Sequence, residues 1–282
     1  MKFARIGDLG HEVPVLITEE RFFDLRSLTT DLDGAFFAGD GVAQVQRSVR
    51  DGALPELTEV EDLRFGAPIA RPQAVICIGM NYAAHAAESG AAPPTQPVVF
   101  LKLPNTVVGP NDIASIPRTS TKTDWEVELG VVIGRRVSYL DSPDLSTNYI
   151  AGFVAVNDLS ERSFQLEVSG GQWSKGKCAV GFTPVGPWLV TPDEVNHGHL
   201  GLRSWVNGEI RQDSMTEDMI FGVEYIIWHL SQFMVLEPGD LVLTGTPQGV
   251  ALSGHFDYLK AGDVCEIEVE GLGHQRQIFI QA

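Results

Sequence analysis

Cysteine is scarce in this chain of 282 residues, which has only Cys77, Cys178 and Cys265. The three are widely spaced and odd in number, and no two of them form a C-x-x-C pair. This pattern argues against a disulfide framework and against a zinc site built from thiolates. The first segment, MKFARIGDLG, also lacks an apolar run of signal-peptide length, so we expect a reducing, cytoplasmic environment.

Basic residues and long apolar runs are also few. Lys and Arg number 20 against 37 Asp and Glu, which gives a formal net charge of −17. Nucleic acid and anionic membrane surfaces repel such a protein, so we expect neither as a partner. No stretch reaches the roughly 18 apolar residues of a membrane helix. The motifs of Walker loops, H-E-x-x-H zinc enzymes and dinucleotide-binding folds are missing too.

What is present is an ordinary globular composition, 44% hydrophobic and 20% charged. Many short strands, few helices and no regular βαβ alternation predict a mixed, β-rich α+β fold. Residues 1–70 are predicted to form a small N-terminal α+β domain, and residues 71–282 a larger domain. The proline-containing segment RFGAPIARPQ marks the linker between them. One long helix is predicted over FGVEYIIWHLSQFMVL, where apolar residues recur at helical spacing.

Two glutamates stand out in TDWEVELGVVIG, a predicted strand that begins at Thr123. Glu126 and Glu128 point to the same face of such a strand, and two like charges raise each other's pKa unless a cation lies between them. Asp158 follows the next strong apolar run. Three carboxylates from neighbouring strands predict a site for Mg²⁺ or Mn²⁺. The alternative is a solvated strand face, with Asp158 as a turn residue.

Histidines occur in two patterns. His85 and Glu88 lie three residues apart in YAAHAAESG, a predicted helix, so the carboxylate can orient the imidazole as a general base for water. The alternative is a surface pair on a small helix. His197 and His199 form an H-x-H pair in a polar loop, which we interpret as solvated rather than metal-binding.

Two turn segments offer groups that recognise anions. The glycine-rich QWSKGKCAVGFTPVGP contains Lys175 and Lys177, and a constrained lysine can bind a carboxylate or stabilise an oxyanion. In LVLTGTPQGV, the hydroxyl of Thr246 and nearby N–H groups can bind a carboxylate. The alternatives are a solvent-exposed lysine and an ordinary turn.

Taken in order, these motifs resemble one family. GMNYAAHAAESG, VVFLKLP, TDWEVELGVVIG, VAVNDLSERSFQ, SKGKCAVGFTPVGPWLV and LVLTGTPQGV are similar to segments of the fumarylacetoacetate hydrolase family, from about Cys77 to the C-terminus. The segments QWSKGK, GPWLVT and LSQFMVLEPGD are most similar to its 2,4-diketo-3-deoxy-sugar-acid hydrolase (acylpyruvase) subgroup. The resemblance implies a β-sandwich or β-roll catalytic domain that pairs as a homodimer.

The resemblance also implies roles for nine residues. They are metal ligation by Glu126, Glu128 and Asp158, water activation by His85 and Glu88, a catalytic lysine at Lys177, and substrate contacts by Arg162, Gln165 and Thr246. This sequence departs from the family pattern at Cys178 and Val180, at Glu161 and Ser163, and in ALSGHFDYL, which replaces a glycine-rich stretch. The departures do not include the three predicted metal ligands or the His85–Glu88 dyad. They leave the identity of the substrate undetermined.

The implied function is a metal-dependent hydrolase that cleaves the C–C bond of a small anionic oxo-acid, a 2,4-diketo acid, to pyruvate and a carboxylic acid. Residues 89–97, rich in small residues and proline, are either a lid over the site or a surface loop. An oxaloacetate decarboxylase or a hydroxymuconate-type diacid isomerase fits the same metal site. A non-catalytic binding protein and a ureidoglycolate lyase are two further candidate functions.

Overall fold

The computed structural model describes residues 1–60, 62–88, 90 and 92–282. The strands within these residues are β1 Lys2–Ile6, β2 Val13–Thr18, β3 Arg21–Asp24, β4 Glu56–Leu57, β5 Phe65–Gly66, β6 Val75–Gly79, β7 Val98–Lys102, β8 Val107–Val108, β9 Ala114–Ile116, β10 Thr123–Asp124, β11 Val127–Ile133, β12 Ile150–Asn157, β13 Ser160–Glu161, β14 Thr183–Pro184, β15 Leu189–Val190, β16 Gly201–Val206, β17 Glu209–Met215, β18 Leu241–Leu243, β19 Val264–Val269 and β20 Gly273–Gln281.

The α-helices are short: α1 Gly34–Ala38, α2 Gly41–Arg50, α3 Ala83–Glu88 and α4 Val223–Ser231. Short 3₁₀ helices cover Pro104–Thr106, Pro143–Tyr149, Trp173–Gly176, Pro192–Glu194, Thr216–Asp218 and Ala251–Ser253, and a π-helical turn covers Ser163–Glu167. Strands therefore dominate, and the predicted mixed, β-rich α+β class is confirmed.

One large sheet forms the centre of the molecule. Its strand order is β4-β3-β2-β1-β15-β12-β11-β18-β6-β7, and β5 pairs with β1 outside this path. The N-terminal strands belong to it because β1 pairs with β15 through Lys2 and Val190. Residues 1–70 thus share a sheet with the rest of the chain, and their description as a separate small domain stays a prediction.

Strand β11 lies at the centre of this sheet, between β12 and β18. Both of its faces are buried. Leu129, Val131 and Ile133 pack into the core on one side, whereas Val132 packs on the other side with the core that contains α1. A central strand that is covered on both faces has no solvated side, which explains the unbroken apolar run in the sequence.

A second sheet, with the order β17-β16-β19-β20-β9, covers one face of the first. Its inner residues share a core with β11, β12 and α4. The β16–β17 hairpin turns at Asn207 and Gly208, which both have positive φ, as the Asn-Gly signal predicts.

Buried amides connect the two sheets. On β12, Asn157 donates through Nδ2 to Oε1 of Gln277 on β20, at 2.9 Å. Gln275 on the same strand donates through Nε2 to the carbonyl of Ala155 on β12, also at 2.9 Å. All three amide side chains are fully buried. They hold β12, and with it the residues that follow its end, in a fixed position against the second sheet.

Two of the differences between the structure and the sequence prediction concern the C-terminal part of the chain. The helix predicted over FGVEYIIWHLSQFMVL ends at Ser231, because Leu236 leaves the helix and forms an antiparallel bridge with Val137. Strand β20 was not predicted, although its residues alternate between buried and exposed. The three cysteines are free. Among the described residues, no helix has the length and apolarity needed to cross a membrane.

The amide network gives a stability prediction. Gln277→Leu removes the oxygen acceptor of Asn157 Nδ2 and leaves it only the weak acceptor Cys265 Sγ, at 3.6 Å, so we expect the free energy of unfolding to fall by about 1–3 kcal/mol. Gln281→Leu is the matched control, since Gln281 is an exposed residue at the end of the same strand. Urea denaturation of both variants measures the difference. Equal stabilities would show that the network does not stabilise the packing of the sheets.

Candidate active site

Several chain segments meet at one end of the large sheet. Strands β6, β12 and β18 end there and β11 begins there, because β11 is antiparallel to β12 and β18, and β18 is parallel to β6. The residues that follow or precede these ends supply the predicted site. Helix α3 follows β6, Asp158 follows β12, Thr246 follows β18, and Glu126 precedes β11.

Glu126, Glu128 and Asp158 converge as the sequence predicts. Each offers one carboxylate oxygen, these oxygens lie within 4.8 Å of one another, and all three side chains are buried. Backbone contacts fix the group. The N–H of Asp158 donates to the carbonyl of Glu126 at 2.9 Å, and the N–H of Glu126 donates to Oδ1 of Asn157 at 3.1 Å. The amide network between the sheets therefore reaches the carboxylates directly.

Buried cations surround these carboxylates. Lys177 Nζ lies 2.8 Å from both Glu126 Oε2 and Asp158 Oδ2. Lys102 Nζ donates to Asp158 Oδ1 and, at 2.7 Å, to the carbonyl of Phe182. Lys177 is therefore not a solvent-exposed residue, because its side chain is 1% exposed and paired with two acids.

Arg162 completes the set of cations. Its Nε donates to Asp124 Oδ2 at 2.8 Å, its Nη1 donates to Gln165 Oε1 at 2.9 Å, and its Nη2 lies 2.7 Å from Glu126 Oε1. Asp124 also accepts from the N–H groups of Ala251 and Leu252. We define the buried charge cluster as four acids and three cations, namely Asp124, Glu126, Glu128, Asp158, Lys102, Arg162 and Lys177. With all four acids ionised, it has one negative charge in excess.

The cluster separates the pKa values of its two glutamates. Burial, together with the charges of Asp158 and Glu126, raises the pKa of Glu128 well above its usual range. Burial also acts to raise the pKa of Glu126, but the cations Lys177 and Arg162 outweigh it and hold that pKa low. Of the two glutamates, Glu128 is thus the one whose negative charge is less stabilised by the cations of the protein itself.

The donor set fits a divalent cation that prefers oxygen. Three carboxylates on one side of a cavity are ligands of the kind that Mg²⁺ and Mn²⁺ take, with other positions left for water or substrate. Such an ion would also relieve the unfavourable burial of an ionised Glu128.

The predicted dyad is formed. His85 Nδ1 lies 2.9 Å from Glu88 Oε1, and both side chains are largely buried. Glu88 is held in turn by the N–H of Gly249, which lies 3.1 Å from each carboxylate oxygen. Because Nδ1 binds the carboxylate, the second ring nitrogen, Nε2, is the one available to the pocket that His85 lines.

Thr246 lines the same pocket, but its hydroxyl is already engaged. It accepts from Gln212 Nε2 at 2.8 Å and donates to the carbonyl of Val127 at 2.9 Å. The neighbouring N–H of Gly245 donates to Glu128 Oε2 at 2.8 Å. In this arrangement the Thr246 turn holds Glu128 and the start of β11 in place, and its contact with substrate stays a prediction.

A cavity of about 260 Å³ unites the site, and eight of the nine predicted residues line it. Asp158 is the exception: it is fully buried, and one of its carboxylate oxygens lies within 4.8 Å of those of Glu126 and Glu128. The rest of the lining is largely apolar: Ile78, Met80, Phe100, Leu166, Trp173 and Leu252. The Trp173 and Phe100 rings pack edge to face, with centroids 5.7 Å apart.

Sequence reasoning missed two members of the buried charge cluster, Lys102 and Asp124. Each had a signal. Lys102 is the charged residue in the apolar strand VVFLKLP, and Asp124 directly precedes the Trp-Glu-Val-Glu segment. A charged residue in an apolar strand is rarely buried unless it has a partner, so Lys102 could have been assigned an acidic partner from its position alone.

Two further predictions concern other loops. His197 pairs with Glu224 and His199 with Glu217, so the H-x-H pair forms no metal cluster among the residues that the structure describes. The lid predicted over residues 89–97 includes Ser89 and Ala91, which lie outside the described residues, and it stays a prediction.

Comparison with known proteins gives consistent results. The family model described as "Fumarylacetoacetate (FAA) hydrolase C-terminal" matches residues 74–279. A Sphingomonas sp. (strain SKA58) protein named 2,4-didehydro-3-deoxy-L-rhamnonate hydrolase is 44% identical over 98% of this chain and 95% of its own length.

Two solved structures are also similar over the whole chain. The fumarylacetoacetate hydrolase of the psychrophilic Exiguobacterium antarcticum has a TM-score of 0.86 and 31% identity, with all of both chains covered. The 2-hydroxyhepta-2,4-diene-1,7-dioate isomerase of Mycobacterium marinum has a TM-score of 0.77 and 30% identity, and covers 100% of this chain and 98% of its own. With its sequence motifs, its fold and the matched residues in agreement, this chain belongs to the fumarylacetoacetate hydrolase family.

Proposed function

We propose that this protein is a divalent-metal-dependent hydrolase that cleaves the C3–C4 bond of 2,4-diketo acids and releases pyruvate and a carboxylic acid. One observation carries the proposal: three buried carboxylates with oxygens within 4.8 Å of one another belong to the same site as a His–Glu dyad. A bound cation and a water-activating base are the two parts that this hydrolysis needs. The name of the Sphingomonas relative supports a substrate of the 2,4-diketo-3-deoxy sugar acid kind.

Glu126, Glu128 and Asp158 would hold the ion. Mg²⁺ or Mn²⁺, when bound there, supplies Lewis acidity and a template for the substrate carboxylate and 2-oxo group. His85, oriented by Glu88, takes a proton at Nε2 from a water molecule whose oxygen adds to C4. Lys177, at the same end of the pocket, stabilises negative charge that develops on oxygen. When the C3–C4 bond breaks, the proton on His85 returns to C3, and the acid and pyruvate leave.

Two other reactions use the same groups, and the sequence alone leaves them open. Oxaloacetate decarboxylation and isomerisation of a hydroxymuconate-type diacid both need the cation and a proton carrier, but no attacking water. The similarity to the Mycobacterium marinum isomerase supports the second. The products separate the three reactions. Hydrolysis gives pyruvate and a second acid, decarboxylation gives CO₂, and isomerisation gives no fragment.

The proposed assembly is a homodimer. Strand β7 is at the edge of the large sheet, and Leu101 on it and Leu103 just after it are 51% and 55% exposed. Exposed apolar side chains on an edge strand support a protein contact at this surface. A cytoplasmic location is proposed with it, from the three free thiols.

The metal site predicts opposite effects on stability and activity. Glu128→Gln keeps an acceptor for the Gly245 N–H and removes a buried acid whose ionisation the site opposes, so we expect the metal-free variant to melt at a higher temperature than wild type. Activity on an acylpyruvate should fall by more than about 100-fold, because a metal ligand is lost. Thermal denaturation with and without Mn²⁺, and assay of pyruvate, measure the two effects.

Glu209→Gln, on the exposed β16–β17 hairpin, is the matched control and should change neither quantity. Chelator should abolish wild-type activity, and Mn²⁺ should restore it. A Glu128→Gln enzyme that keeps full metal-dependent activity would contradict the proposed ligand set.

Because His85 is the proposed base and not a metal ligand, replacing it should lower the catalytic rate without weakening metal binding. His85→Gln removes the base, and we expect kcat on the same acylpyruvate to fall by about 10²–10⁴-fold while Mn²⁺ affinity, measured by calorimetry, changes little. His199→Gln removes a comparable His–Glu pair on the surface and should leave kcat unchanged. If His85→Gln retained kcat, another group would have to activate the water.

A further inference from the structure

The distribution of charge in the pocket identifies which end of a substrate it can accept as an anion. The lining contains two permanent cations, Arg162 and Lys177. Both are bound to acids of the buried charge cluster, Arg162 to Asp124 and Glu126, and Lys177 to Glu126 and Asp158. Both therefore lie at the end of the pocket where the metal ligands converge. There they would lie beside the substrate carboxylate and 2-oxo group that a cation held by these ligands would bind.

The remaining lining is poor in charged partners for an anion. Its apolar members are Ile78, Met80, Phe100, Leu166, Trp173 and Leu252. The other polar members are the acids and imidazole of the site, Thr246, whose hydroxyl is engaged, and Gln165. Gln165 uses Oε1 to accept from Arg162, and its Nε2 group makes no hydrogen bond within the described part of the chain. It is a single neutral donor, suited to a hydroxyl or carbonyl rather than to a second carboxylate.

The segment predicted as a lid cannot supply the missing cation. From Ala86 to Val99 the sequence contains no Lys and no Arg. Any closure of this segment over the pocket would add small residues, prolines and uncharged polar groups.

Charge balance leads to the same conclusion. With all of its acids ionised, the buried charge cluster has one negative charge in excess, and Glu88 adds a second negative charge to the lining. A bound divalent cation would only balance these two charges, so it would leave no excess positive charge to hold a second substrate carboxylate. A second carboxylate on the substrate would thus enter a largely apolar region without a partner, and burial of an unpaired carboxylate is costly.

Resting on the proposed function, we infer that the pocket selects monocarboxylate 2,4-diketo acids with an uncharged tail, either alkyl or hydroxylated, and discriminates against dicarboxylates. The carboxylate and 2-oxo group lie at the cation, and the tail beyond C4 lies along Phe100, Trp173 and Leu166, with Gln165 available to a tail hydroxyl. Oxaloacetate and hydroxymuconate-type diacids are both dicarboxylates, so the same charges disfavour the decarboxylase and isomerase functions.

The test uses two compounds of equal carbon number, 2,4-dioxoheptanoate and 2,4-dioxoheptanedioate, which differ only in a methyl or a carboxylate at C7. Binding to the Mn²⁺-loaded His85→Gln protein is measured by calorimetry, and turnover by wild type is measured separately. We expect the monocarboxylate to bind about 10- to 100-fold more tightly. Equal binding, or preference for the dicarboxylate, would overturn the inference.

A charge added to the tail region should reduce this preference. Leu166 lines the pocket and is 46% exposed, so Leu166→Lys can place an ammonium at its mouth with little risk to folding. We expect the ratio of the two affinities to fall by about fivefold or more. Val168→Lys is the matched control, since Val168 is 65% exposed and outside the lining, and it should leave the ratio unchanged.

The outcomes separate the inference from the proposed function. Tighter binding of the monocarboxylate without its hydrolysis by wild type would support the inference and contradict the function. Hydrolysis of both compounds, with equal affinities, would support the proposed function and overturn the inference. If neither compound bound, the inference and the proposed function would both be overturned. One other lysine is close in sequence to the pocket lining: Lys175 is exposed and lies two residues after Trp173. Dicarboxylate binding that Lys175→Ala abolishes would also overturn the inference.

Discussion

The site depends on the burial of four carboxylates that only three cations balance. Asp124, Glu126, Glu128 and Asp158 would repel one another strongly in a dry interior without Lys102, Arg162 and Lys177. The cations do not compensate the acids equally, because Glu126 and Asp158 are directly paired with them, whereas within the described part of the chain the Glu128 side chain accepts only the N–H of Gly245. The excess negative charge therefore falls at the position where a divalent cation can bind. With Glu88 in the lining, the same balance leaves no excess positive charge for a second substrate carboxylate.

The fold makes this arrangement possible by covering β11 on both faces and fixing its first residues from three directions. Asp158 pairs with the backbone of Glu126 beyond the end of β12, and the turn after β18 binds Glu128. The amides on β20 hold Asn157, which in turn accepts from the Glu126 N–H. Stability of the sheet packing and geometry of the site are thus carried by the same hydrogen bonds. A loss in one is expected to appear in the other.

The sequence predicts much of this because its strongest signals are local. Two acids spaced two apart before an apolar run, an H-x-x-E pair on a short helix and a glycine-rich lysine loop each identify their residues without knowledge of the fold. Apolar periodicity likewise identifies the strands of the central sheet. The ordered set of motifs then indicates the family, and the matched residues 74–279 confirm it.

What the sequence did not predict depends on contacts between distant segments. Lys102 meets Asp158 across 56 positions of the chain, and the Gln275–Gln277 amides meet β12 across about twice that separation. No local sequence pattern around either partner indicates which distant residue it contacts. The helix at 223–231 ends early for the same reason, since its apolar continuation pairs with Val137 instead. Strand pairing competes with helical periodicity there, and only the tertiary structure decides the outcome.

The central claim is that Glu126, Glu128 and Asp158 hold a divalent cation, and diffraction from crystals soaked in Mn²⁺ tests it most directly. The account predicts one anomalous peak with ligand distances of about 2.0–2.3 Å to an oxygen of each of the three side chains. Lys177 and Arg162 should remain beside Glu126. A peak at other residues, or no peak at a Mn²⁺ concentration that supports activity, would contradict it.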